Sequence, residues 1–131
     1  MLDDYKNRIL VVEDEAPQQR LVTAILGRKC GYEALIVESG NAAWDYLTTD
    51  GLTEDGKVGL VLTDFNMPGG NGDELVQRIR ADDRLKNLPI IMASGRPENR
   101  DTPDLDDFID KPYNMADLIS LVQKYLPKQL Q

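Results

Sequence analysis

The chain has 131 residues, of which 41% are apolar, so it can bury one core and is not a disordered tail. Fifteen basic residues against 23 acidic ones give a net charge of −8, which disfavours direct contact with nucleic-acid phosphates or anionic lipid. With no histidine and a single cysteine, Cys30, histidine triads, histidine metal sites, a phosphohistidine, an internal disulfide and any CxxC site are excluded.

In chain order, MLDDYKNR is acidic and lacks the apolar stretch of a signal peptide, and Met1 lies close ahead of the first strand, as in a native start. Ile9-Leu10-Val11-Val12 is a short continuous apolar run, as expected of a strand buried on both faces of a parallel sheet. Glu13-Asp14-Glu15 ends it, and Pro17 suits the first turn of a helix carried by Leu21, Val22, Ile25 and Leu26 and stopped near Gly31. Ala34 to Val37 reads as a second strand and Asn41 to Leu47 as a short helix, followed by a polar, glycine-rich loop over 48–59. Leu60-Val61-Leu62-Thr63 is a third strand running into Asp64, and the turn NMPGGNG leads to a helix marked by Leu75, Val76 and Ile79. Ile90 to Ala93 is the fourth strand and Phe108-Ile109 a short fifth. Between them GRPENRDTPDLDD holds two prolines and almost no apolar face, so a fourth helix is short or missing. The last helix follows an Asn114 cap and carries the stripe Met115, Leu118, Ile119, Val122 and Leu126. The closing PKQLQ fits either a chain end or a cut linker. No run approaches the ~18 apolar residues of a membrane helix, so no membrane insertion is expected.

This alternation predicts an α/β fold, a three-layer open parallel five-stranded sheet with helices on both faces, as one domain over 1–131. Ligands of such sheets sit at the carboxyl ends of the strands. There the sequence places Glu13 and Asp14 after the first strand, Asp64 after the third, Ser94 after the fourth and Lys111 after the fifth. Clustered carboxylates invite a divalent cation, and oxygen-only ligands favour Mg²⁺. One carboxylate could attack phosphorus to form an acyl phosphate, with a metal and a lysine neutralising the charge. Each residue alone has a plainer reading. Glu13 and Asp14 could cap a helix, Asp64 could start the NMPGG turn, Ser94-Gly95 is a common turn dipeptide, and Lys111 could reach from a strand end to water. A phosphatase using an aspartate nucleophile in a DxDx[TV] motif is excluded by EDEA. A flavodoxin-type FMN site lacks its Ser/Thr-rich loop.

The ordered set ILVVEDE, VESGNAAW, LVLTDFNMPGGNG, PIIMASG and DDFIDKPY resembles the receiver domain of two-component response regulators over nearly the whole chain. That resemblance implies a flavodoxin/CheY-like fold with strand order 2-1-3-4-5. It implies Asp64 as phosphoacceptor and Mg²⁺ held by Glu13, Asp14, Asp64 and the backbone carbonyl of Asn66. It further implies Ser94 and Lys111 as phosphoryl-binding residues, Phe108 as the switch aromatic and a cis bond to Pro112. The implied function is cytoplasmic signalling. The domain would take a phosphoryl group from a sensor histidine kinase or phosphotransfer protein and bind an unknown downstream protein, with at most self-catalysed phosphotransfer and autodephosphorylation. The alternative is a receiver-like interaction module not controlled by phosphorylation. Three departures stand out: Glu13 replaces the commoner aspartate, the 48–59 loop is longer than usual, and the Ser94-to-Lys111 stretch is shorter. Some receivers fused to sensor kinases resemble this, and the shortening places the usual output face in question.

Overall fold

A computed structural model of the protein describes residues 7–127, so the acidic start and the end of the PKQLQ tail lie outside the described residues. Five strands, β1 (Arg8–Val12), β2 (Glu33–Val37), β3 (Leu60–Asp64), β4 (Ile90–Ser94) and β5 (Asp107–Asp110), pair in parallel in the order β2-β1-β3-β4-β5. The three central strands are buried almost throughout because both faces of the sheet are covered, which is why they read as unbroken apolar runs.

Side-chain alternation divides the interior into two halves. On one face Ile9 and Val11 pack with Leu60, Leu62, Ile91 and Ile109 beneath α1 (Ala16–Val22) and the last helix, α4 (Met115–Tyr125). On the other, Leu10 and Val12 pack with Val61, Ile90 and Met92 against α2 (Gly40–Leu47) and α3 (Gly72–Ala81). Three helix starts have sequence-encoded reasons. Pro17 sits in the first turn of α1, the Ser39 side chain accepts from Ala42 N at 3.0 Å, and Asn114 accepts from Asp117 N at 3.1 Å.

The first helix does not end with α1: the backbone continues from Thr23 to Lys29 in a wider π-helical register before Gly31 turns it at φ 76°. Two stripe residues also depart from expectation. Leu21 is 40% exposed and Met115 43%, so the buried seams are Val22, Ile25 and Leu26 in the first helix and Leu118 and Val122 in the last. The 48–59 loop is tied down by Arg8, whose guanidinium donates to Asp55 O and Lys57 O at 2.8 and 2.7 Å. Between β4 and β5 there is no α-helix, only a 3₁₀ turn over Pro97–Asp101 with no buried residue.

Candidate functional site

The parallel sheet brings the carboxyl ends of β1, β3, β4 and β5 to one edge, and the turn after β3 is held there by backbone contacts that admit no larger residue. A Cβ on Gly72 would lie 2.2 Å from Asp64 O, while Gly72 N donates to Phe65 O at 2.8 Å. This clamp closes the turn after β3 tightly enough to keep Asp64 at the sheet edge. On the neighbouring side, Gly40 and Asn41 donate backbone N–H groups to Gly70 O and Gly69 O, each at 3.2 Å, anchoring the same turn to the start of α2.

Within this frame, one carboxylate oxygen from each of Glu13, Asp14 and Asp64 falls within 4.8 Å of the others. Lys111 reaches in from the end of β5, with its Nζ 2.6 Å from Glu13 Oε1 and 3.3 Å from Asp64 Oδ2. Glu13 is only 1% exposed. Its second oxygen accepts from Glu15 N at 3.2 Å, and Gln19 donates to its backbone carbonyl at 2.7 Å. Asp64 Oδ1 accepts from Phe65 N at 2.8 Å. Burial pushes the Asp64 carboxyl above its ordinary value, against the Lys111 ammonium and the Phe65 N–H, which pull it down, with the Asp14 charge adding to the rise. Three carboxylates against one ammonium leave excess negative charge on oxygen donors alone, and that donor set fits a hard dication such as Mg²⁺.

Ser94, 3% exposed, closes β4 beside the end of β3, where Asp64 is paired with Ala93. Its Oγ accepts from Arg96 N at 3.0 Å and from the Asn99 side-chain amide at 2.8 Å. Phe108 is 7% exposed and is covered by the Arg100 guanidinium, 4.7 Å above its ring. Asn66 lies exposed on the loop two positions past Asp64, and the Lys111–Pro112 peptide is cis.

Three neighbours of the site were not singled out by the sequence: Asn99, Arg100 and Tyr113. Tyr113 lies under the Lys111 ammonium, 5.7 Å from its ring centre, and burial together with the Glu13 and Asp64 charges pushes its hydroxyl far up, so it stays protonated. Its place directly after Lys-Pro was the available signal. Asn99 and Arg100 sit in a stretch without apolar periodicity, where no local pattern reveals a partner.

The sequence pattern of the response regulator receiver domain matches residues 9–123. The chain belongs to that family, whose members are signalling domains rather than enzymes in the ordinary sense. It is 40% identical over 87 residues to a chemotaxis protein CheY homolog of Campylobacter jejuni. That stretch covers 66% of this chain and 63% of the relative, just under two thirds of its length. Among solved structures, the signal receiver domain of a signal transduction histidine kinase from Syntrophus aciditrophicus superposes with a TM-score of 0.79 at 27% identity. The match covers 95% of this chain and 94% of that one. The response regulator TrrA of Thermotoga maritima, in complex with Mg²⁺ and beryllofluoride, gives 0.78 at 30% identity over 91% and 98% of the two chains.

Proposed function

We propose that Asp64 is the phosphoacceptor of a two-component phosphorelay and that the chain signals by phosphorylation-dependent protein binding. The phosphoryl donor is a phosphohistidine of a sensor kinase or phosphotransfer protein, and the setting is the cytoplasm. The observation that carries this reading is the bridging of Glu13 and Asp64 by Lys111 beside a third carboxylate, Asp14. An isolated turn-forming aspartate would need no such surroundings.

The residues divide the work of phosphoryl transfer. An Asp64 oxygen attacks phosphorus, the P–N bond to the donor imidazole breaks, and the bonding pair leaves with the imidazole, giving an acyl phosphate. Burial makes the Asp64 carboxylate more basic than in water. Lys111 is placed to shift from Asp64 Oδ2 to a phosphoryl oxygen without leaving Glu13. Ser94 offers a hydroxyl at the adjacent strand end. Asp14, Asp64, the Asn66 carbonyl and Glu13 would hold Mg²⁺, which would supply neutralisation of the charge on the phosphoryl oxygens.

Incubation with acetyl phosphate and Mg²⁺ is expected to add one phosphoryl mass, removed by hydroxylamine and absent in Asp64→Asn. Equal labelling of that variant would overturn the assignment.

A further inference from the structure

Ser94 is hydrogen-bonded in a way that fixes what its hydroxyl can do next. A serine hydroxyl has one proton to give and two lone pairs to fill. Here two donors converge on Oγ: Arg96 N from the backbone and the Asn99 Nδ2 amide from the 3₁₀ turn. Both are N–H groups at 3.0 Å or less, so both lone pairs are engaged and the hydroxyl proton is left over. Phosphoryl oxygens are acceptors only, and a donor is what a phosphoryl group on Asp64 requires from this position. Hydroxyls that accept also become stronger donors, because hydrogen bonds in a chain polarise one another.

Asn99 is well placed for this task. It is the one half-buried residue in the run 95–101, whose other members are all exposed. The turn that carries it is closed by backbone bonds from Asn99 N to Arg96 O and from Thr102 N to Asn99 O, each 3.1 Å. Arg100, the next residue, is fixed over Phe108 and pairs with Asp110 at 3.3 Å. The turn is thus held on both sides of Asn99, and its side chain needs no further ordering to reach Ser94.

We infer that Asn99 is a positioning residue for phosphoryl binding: with Arg96 N it fills the lone pairs of Ser94 Oγ and commits the hydroxyl proton to an acceptor on Asp64. This rests on the reading of Asp64 as the phosphorylated residue. It gives the turn in place of a fourth helix a chemical duty, that of completing the hydroxyl's hydrogen bonding.

The test titrates beryllofluoride, a phosphoryl mimic, into the full chain at saturating Mg²⁺, reading affinity by calorimetry and the bound fluorines by ¹⁹F NMR. Asn99→Ala is expected to weaken binding by about three- to tenfold, the worth of one hydrogen bond. Asn99→Asp is expected to weaken it further, because its carboxylate accepts the Ser94 proton instead of leaving it free and adds negative charge. In a Ser94→Ala background, Asn99→Ala should make no difference, since the group it acts through is gone. Asn99→Ala also loses this bond from the resting chain, so its thermal midpoint is expected to fall by a few degrees, while its affinity for Mg²⁺ alone is expected to match the wild type. Unchanged or tighter beryllofluoride binding by Asn99→Ala, or an effect that persists without Ser94, would overturn the inference while the Asp64 reading stands. Failure of the wild type itself to bind beryllofluoride would remove the Asp64 reading and this inference with it.

Discussion

At the scale of single residues, the most exacting arrangement is Glu13, 1% exposed with its charge set against Lys111. Removing one partner of a buried ion pair strands the other, and the typical cost is ~3–5 kcal/mol. Lys111→Ala is therefore expected to lose about 3 kcal/mol in urea denaturation without divalent cations, and adding Glu13→Gln should recover part of it. A loss below ~1 kcal/mol would show the pair to be as weak as a surface one. Asp64 makes the complementary case. Its carboxyl is raised mainly by burial, so the folded chain holds that proton more tightly than the unfolded chain. The stability tied to Asp64 is full below the ordinary aspartate range and is lost as pH rises through the higher folded value. Asp64→Asn, which keeps the shape and drops the charge, is expected to be the more stable protein at pH 7 without metal. Its midpoint should rise a few degrees, ~1 kcal/mol corresponding to ~4 °C in a chain of this length. Its advantage over the wild type should grow between pH 4 and 7, and a constant difference across that range would contradict burial as the cause.

At the scale of elements, what could be read from the sequence follows from how local each cause is. Ile9 to Val12, Leu60 to Thr63 and Ile90 to Ala93 announce themselves because central parallel strands are apolar on both faces. The acidic residues at the ends of the first and third strands and the lysine after the fifth are equally visible, and the strand pattern alone is enough to bring Glu13, Asp14, Asp64 and Lys111 to one sheet edge. The widening of the first helix at Thr23 and the pinning of the 48–59 loop by Arg8 depend on tertiary contacts that no window of sequence contains. The segment between β4 and β5 lies between these cases. Pro103 would clash in a continuing helix at a cost of ~3 kcal/mol, and the chain instead turns at Asp104 with φ 68°. The sequence thus shows why the helix is absent, but not that Asn99 and Arg100 tie its replacement to Ser94 and Phe108. Because that turn buries none of its residues, its amides are expected to exchange hydrogen much faster than those of β4 and β5. Beryllofluoride should slow exchange over 96–103 as Ser94 gains its third partner. Protection that is already strand-like at rest, or unchanged on binding, would argue against a turn that tightens when the Ser94 hydroxyl meets the phosphoryl mimic.

At the scale of the whole molecule, the net charge of −8 and the three clustered carboxylates make different demands on cations. Diffuse repulsion across the surface is relieved by any salt, because exposed charges more than about 10 Å apart are screened at ~0.1 M ionic strength. Repulsion among Glu13, Asp14 and Asp64 is short-range, only partly offset by Lys111, and relieved best by an ion that enters the site. Such an ion binds the folded chain alone, because the unfolded chain does not bring the ends of β1 and β3 together. Mg²⁺ at ~100 times its dissociation constant should then add ~2.7 kcal/mol of stability, or about 10 °C in the thermal midpoint. Sodium chloride at matched ionic strength should give only the diffuse part. Asp14→Asn lowers the chain's net negative charge by one and so leaves the diffuse response nearly as it was, yet it removes a ligand. In that variant the Mg²⁺ and sodium curves are expected to converge. If they stay as far apart as in the wild type, the cation is acting somewhere other than the end of β1. If they coincide in the wild type, millimolar Mg²⁺ has no specific site in the resting protein.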